Sequence, residues 1–212
     1  MQQSEKKWWI EAGFKRISRF LTKKEFRHVY IKLPETPLPS YGLFLMNHSS
    51  WWDGLLVYLV NDKILKTDGY IMIDQDGLDR FPVFRRVGGF SVDRSSLRHT
   101  KASLTYATEL LKNRKGVFLF PQGDEQHLET RPLRFMKGAG VLMRRAPEVP
   151  VTPVVFYYSF GHHKKPEVYI QVGHPRQHVL NLEHWERIVE KELDDLKQHI
   201  IDEDFRTFDL LL

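Results

Sequence analysis

The stretch MNHSSWWDGLL, residues 46–56, places His48 five positions before Asp53 at the end of an apolar run. That pairing suits proton transfer. An aspartate that accepts a hydrogen bond from one imidazole nitrogen fixes the tautomer. The other nitrogen is then free to take a proton from a hydroxyl. The alternative is a structural histidine beside a helix-capping aspartate. Spacing alone does not separate them, because HIIDED places His199 five before Asp204 as well. In a regular helix that offset lies about 140° past a full turn and points the side chains apart, so the second match reads as chance.

Context distinguishes His48. LFLMN (43–47) reads as a short buried strand and WDGLLVYLVN as a helix, with a turn between them that can fold Asp53 back towards the imidazole. Ligands tend to sit at strand C-termini in α/β sheets. YIMID (70–74), FSVD (90–93), GVFLF (116–120), VPVTPVVFYY (149–158) and EVYIQVG (167–173) read as further strands. Helices are expected from Ser95 or Ser96 to about Asn113, over MKGAGVLMRRA, and from about Leu182. The segment DRFPVFRRVGG is irregular or a short helix around Pro82. Alternating strands and helices predict an α/β fold, a single domain with a mixed, largely parallel sheet flanked by helices. The organisation expected is a basic amphipathic N-terminal helix within residues 1–30 and one α/β domain over 31–212.

Three later stretches join NHSSWWD in order: GGFSVDR (88–94), FLFPQGDEQ (118–126) and VPVTPVV (149–155). Together they resemble the phospholipid/glycerol acyltransferase family, of the lysophosphatidic acid acyltransferase type. The resemblance covers about residues 40–160. It implies acyl transfer from an acyl thioester, acyl-CoA or acyl-carrier protein, to a hydroxyl, with no cofactor and no metal. It implies His48 as general base and Asp53 as its orienting partner. It places Asn47, Ser49, Arg94, Phe120, Pro121, Gln122, Gly123, Arg134 and Lys137 among the substrate-binding candidates, with Arg94 matching the basic residue of the family's second block. Otherwise Arg94 is a surface arginine beside Asp93, and Gly88-Gly89 only makes a turn.

The third block departs from the family. Gln122 stands where glutamate is usual, and Asp124 and Glu125 stand where threonine or serine and then arginine are usual. An acid at the arginine position repels an acceptor phosphate. The expected acceptor is therefore an uncharged alcohol on a lipid or glycolipid. Gln122 remains able to hold an acceptor hydroxyl. Arg131, Arg134 and Lys137 are available to replace the lost charge or to bind CoA phosphates; otherwise they form a solvated basic loop. Alternatives are a 1-acylglycerol-3-phosphate or glycerol-3-phosphate acyltransferase with a divergent third motif, a thioester hydrolase, and a catalytically silent lipid-binding protein.

Composition narrows the partners. The chain has 212 residues, 42% of them hydrophobic, and no cysteine. Thiolate metal sites and cysteine nucleophiles are thereby excluded. Eight Lys/Arg and three Glu in residues 1–30 hold the whole net charge of +5. Ile10, Phe14, Ile17 and Leu21 recur at helical spacing over about residues 5–28, with Lys15, Arg19, Thr22 and Lys23 opposite. That helix either packs on the core with a basic face in water or lies on an anionic membrane, and Trp8-Trp9 with the basic excess favours the membrane. No apolar run is long enough to span one, and no signal-peptide block is present. A cytoplasmic, peripheral membrane protein is expected. No nucleic-acid signature accompanies the basic segment. His162, His163, His174 and His178 cluster in sequence, but Pro175 argues against helical presentation to a metal.

Overall fold

Short runs of branched and aromatic residues form the strands, and their alternation shows which layers they join. The computed structural model describes residues 1–179 and 181–212. Among these, the strands are β1 (Val29–Lys32), β2 (Gly42–Met46), β3 (Gly69–Asp74), β4 (Gly89–Val92), β5 (Gly116–Leu119), β6 (Val151–Ser159), β7 (Glu167–Val172) and β8 (Asp209–Leu210). They make one sheet in the order β4-β3-β5-β2-β6-β7-β1-β8. From β4 to β6 every neighbour is parallel. β7 runs antiparallel to β6, β1 parallel to β7, and β8 antiparallel to β1.

The helices are α1 (Trp8–Glu25), α2 (Trp52–Val60), α3 (Gln75–Arg80), α4 (Leu97–Lys112), α5 (Lys137–Arg145) and α6 (Leu182–Ile201). In β2, Leu43 and Leu45 enter a core with Leu104, Ala107, Leu142 and Trp185, from α4, α5 and α6. Phe44 and Met46 enter another with Leu56, Val57 and Val60 of α2. A strand covered on both faces buries every residue, as β2 does. Pro153 is tolerated in β6 because the ladder with β7 starts one residue later, at Val154↔Val172.

The expected α/β architecture is present, with strand boundaries shifted by a residue or two and the N-terminal helix three residues shorter at each end. β1 and β8 lie at the antiparallel edge and were not anticipated. β1 begins at Val29 and straddles the 30/31 boundary. A six-residue α3 also forms, with Asp74 capping it through Asp76 N–H, followed by a 3₁₀ turn at Pro82–Val87. The Gly88-Gly89 pair is more than a turn. Gly88 has φ +112°, and a Cβ there would meet Gly69 O at 2.7 Å, so β4 can reach β3 only through glycine.

The inward face of α1 differs from the expected one. Ser18 and Thr22 are the buried residues, and Ile10 and Phe14 pack beside them. Phe14 meets Tyr58 of α2 edge-on at 4.8 Å. Lys15 and Arg19 face the protein too, both reaching Asp62. Small Ser18 and Thr22 allow α1 to approach α2, and Asp62 draws in the cations. Ile17 and Phe20 consequently turn outward and are exposed, as are Trp8 and Trp9. The apolar residues of α1 thus occupy two faces, one packed and one bare.

Candidate active site

Asn47 carries the chain out of β2. Its side-chain amide donates to Phe156 O at 3.0 Å and its carbonyl accepts from Phe156 N at 2.8 Å, fixing the strand end against β6. His48 follows. Its N–H donates to Gln122 Oε1 at 2.7 Å, and its carbonyl accepts from Gln126 N at 2.9 Å. The loop after β5 therefore grips the histidine backbone on both sides. The ring of Phe120 stacks on the imidazole at 4.3 Å.

The chain then turns into α2, and Asp53 N donates to Ser50 O at 3.0 Å. This turn returns Asp53 to His48, with Oδ2 accepting from Nδ1 at 2.9 Å. The same oxygen accepts from Ser49 N at 2.7 Å and Ser50 N at 2.9 Å. Oδ1 accepts from the hydroxyl of Tyr158 on β6. Asp53 has no exposed surface, and a buried carboxylate persists only when its lone pairs are occupied. Burial, then the charge and hydrogen bond of Asp53, hold the Tyr158 phenol well above its ordinary pKa. It remains a donor at neutral pH. With Asp53 as acceptor, the imidazole carries its proton on Nδ1 and presents a basic Nε2. Such a ring can take a proton from a bound hydroxyl.

The His199–Asp204 offset makes no side-chain pair: Asp204 binds Arg206 instead. The histidines of the C-terminal half also go to separate partners: His162 to Glu203, His163 to Arg27 and His174 to Thr36. Among the described residues no group of three or more His, Asp or Glu is placed to hold a metal.

His48 stands at a cavity of about 470 Å³. It lies among the C-terminal ends of β3, β4 and β5 and the first turns of α4 and α5. Its walls are largely apolar, including Ile71, Phe84, Leu104, Leu119 and Ala139. Of the candidate residues, His48, Arg94, Phe120, Pro121, Gly123 and Lys137 line it, and Asn47, Ser49, Gln122 and Arg134 do not. Asn47 and Gln122 are instead hydrogen-bonded into the scaffold of the histidine, and Gln122 Oε1 is already engaged. Ser49 contributes its backbone N–H to Asp53. The backbone N–H of Arg134 donates to Glu186 at 3.0 Å, and the guanidinium of Arg131 pairs with Asp194 at 2.6 Å. Of the three cations expected near the third block, Lys137 alone reaches the cavity.

Arg94 is not free. Its Nη1 and Nη2 donate to the two oxygens of Asp124 at 2.8 and 2.6 Å, and Nε donates to Asp74 at 3.1 Å. The hydrogen bonds to Asp124 hold the guanidinium above its ordinary pKa, and those from Arg94 hold the Asp124 carboxyl below its own. Asp74 and Tyr158 were absent from the residues singled out in the sequence, and Asp124 was named there only as a departure from the third block, not as a partner of Arg94. Tyr158 alone left a signal, a phenol at the end of a buried strand, which needs a polar partner.

Residues 30–157 match the protein-family model described as Acyltransferase. The crystal structure of the 1-acyl-sn-glycerophosphate (LPA) acyltransferase PlsC from Thermotoga maritima is similar in fold, with a TM-score of 0.61 and 17% identity. That similarity covers 89% of this chain and 77% of that one. A comparison with curated protein sequences returns no match.

Proposed function

Because the chain belongs to the acyltransferase family, we propose that it is an O-acyltransferase that moves a fatty acyl group from an acyl thioester to a hydroxyl of a lipid-associated acceptor, with His48 as general base. The observation that carries this reading is the His48 Nδ1–Asp53 contact at 2.9 Å, beside an apolar cavity of about 470 Å³. The cavity suits an acyl chain, and Nε2 is the atom left to work on the acceptor. His48 Nε2 takes the hydroxyl proton as the hydroxyl oxygen bonds to the thioester carbonyl carbon. The carbonyl electron pair moves onto its oxygen. When that pair returns, the C–S bond breaks and the departing thiolate recovers the proton from His48. The products are an ester and a free thiol, and Asp53 stabilises the imidazolium between the two steps. No cofactor is required, and acyl-CoA and acyl-carrier protein both supply the thioester.

The acceptor is met at a membrane surface through α1. Trp9, Ile17 and Phe20 are exposed on its outward face, and Trp8 is exposed at its first turn. Among the described residues, Lys7, Arg16, Lys23 and Lys24 have no carboxylate partner beside them. Bare aromatics flanked by unpaired cations suit the headgroup boundary of an anionic bilayer. Among the described residues no helix is long and apolar enough to cross a membrane, and the attachment proposed is peripheral.

The decisive experiment is release of free CoA from a long-chain acyl-CoA, by wild type and His48→Ala, with and without a lipid alcohol. Acceptor-dependent release should fall about 10²- to 10⁴-fold in the variant. Release indifferent to the alcohol would instead make the protein a hydrolase. Release that survives His48→Ala would remove the imidazole from the chemistry.

A further inference from the structure

We propose that Asp124 occupies the anion position of Arg94, so that the acceptor is an alcohol with no phosphate next to its reacting hydroxyl. The inference rests on the acyl-transfer reading above and names the acceptor class for that same site.

Arg94 and His48 line one cavity. A guanidinium there would ordinarily offer two parallel N–H groups to a phosphate. Both prongs already point at one carboxylate, that of Asp124, at 2.8 and 2.6 Å. Asp74 takes Nε from the other side at 3.1 Å. One cation thus lies between two carboxylates. Glu125 joins Asp74 as a second acid of the wall, and Lys137 is the other cationic side chain there. A phosphate ester, carrying about −1.5 to −2 charges, would have to displace a tethered carboxylate and then remain beside it. The tether gives Asp124 a high effective concentration, and the displaced charge has nowhere distant to go.

The local chain is shaped for this contact. Gly123 adopts φ +83°, and a Cβ there would lie 2.9 Å from Arg94 Nη1. The turn closes with Gly123 N–H donating to Phe120 O at 3.1 Å. Phe120 stacks on His48 and Gln122 holds its N–H. One five-residue loop therefore positions the base and fills the arginine. Asp124 is 69% exposed, and an exposed ion pair adds little to folding stability. Its effect falls on which acceptor can enter.

Glycerol 3-phosphate is the probe, titrated calorimetrically into the full chain as wild type, Asp124→Ser, Asp124→Asn, and Asp124→Ser combined with Arg94→Gln. Both single variants should bind it at least about tenfold more tightly than wild type, since like charges at close range are strongly disfavoured. The double variant should lose the gain. In parallel, acyl transfer to lysophosphatidic acid relative to monoacylglycerol should rise about tenfold or more in Asp124→Ser. Wild type that binds the probe as well as both single variants, or that prefers lysophosphatidic acid, overturns the proposal. If no acceptor is acylated by any form, the acyl-transfer reading fails, and the titration alone still decides whether Asp124 closes Arg94.

Discussion

Replacing Tyr158 by Phe removes one hydroxyl and leaves the ring, which lies 5.9 Å from Phe26. The carboxylate of Asp53 has an asymmetric set of donors. Among the described residues, Oδ2 receives His48 Nδ1, Ser49 N and Ser50 N, while Oδ1 receives only Tyr158. With Asp53 wholly buried, the substitution leaves a charged oxygen with neither water nor donor. An unsatisfied buried acceptor costs about 1–3 kcal/mol, and more when charged. For a chain of this length that lowers Tm by about 2–12 °C. The released carboxylate can rotate, so His48 loses part of its orientation, and kcat should fall about tenfold with little change in KM. The phenol pKa is raised, first by burial and then by Asp53. A raised folded-state value stabilises below the ordinary tyrosine pKa of about 10 and is lost as pH rises through the folded value. The stability gap between wild type and Tyr158→Phe should therefore be flat from about pH 6 to 9 and close above about 10. Urea unfolding across that range, with CoA release at each pH, measures both arms. A variant as stable as wild type to within about 0.5 kcal/mol, with unchanged CoA release, would refute the placement of the hydroxyl on Asp53.

Asn47→Ala leaves Phe156 N and O unpaired at a site 1% exposed, and should cost about 2–5 kcal/mol in urea unfolding. Burial alone would raise the Asp68 pKa, but hydrogen bonds from Lys115 and Lys6 outweigh it and hold the carboxyl below its ordinary value. Its contribution is present above about pH 4 and lost below; Asp68→Asn should cost less than about 1 kcal/mol at pH 7, and the gap should vanish in acid. Ile17→Ser with Phe20→Ser, both at exposed positions of α1, should leave folding intact and reduce flotation with anionic vesicles by about tenfold or more. Equal flotation of this variant and wild type would detach α1 from the membrane reading.

Residue types and runs made much of this protein legible. Six strands stand out because β2 to β7 are apolar runs bounded by Gly, Pro or Asp. The His48–Asp53 pair was legible because a strand end and a helix start leave one short turn between them. β1 and β8 were not, because four and two residues at a sheet edge carry too little period to read. The inward face of α1 was also hidden. Periodicity finds apolar residues on a helix, but the partners Asp62 and Tyr58, from a distant segment, choose which stripe is covered.

The substrate-facing chemistry divides along the same line. By itself, the sequence determined the fold class and marked His48 and Asp53 as neighbours, because these depend on local order along the chain. Tertiary structure alone decided that Gln122 holds the backbone of His48 from 74 residues away, that Tyr158 completes Asp53 from 105, and that Asp124 closes Arg94 from 30. Each is a hydrogen bond between segments brought together only when parallel strands align their C-terminal ends. Sequence spacing holds no information about which polar groups will meet there, and the demand that buried polar groups be satisfied chooses the partners only once the sheet has formed.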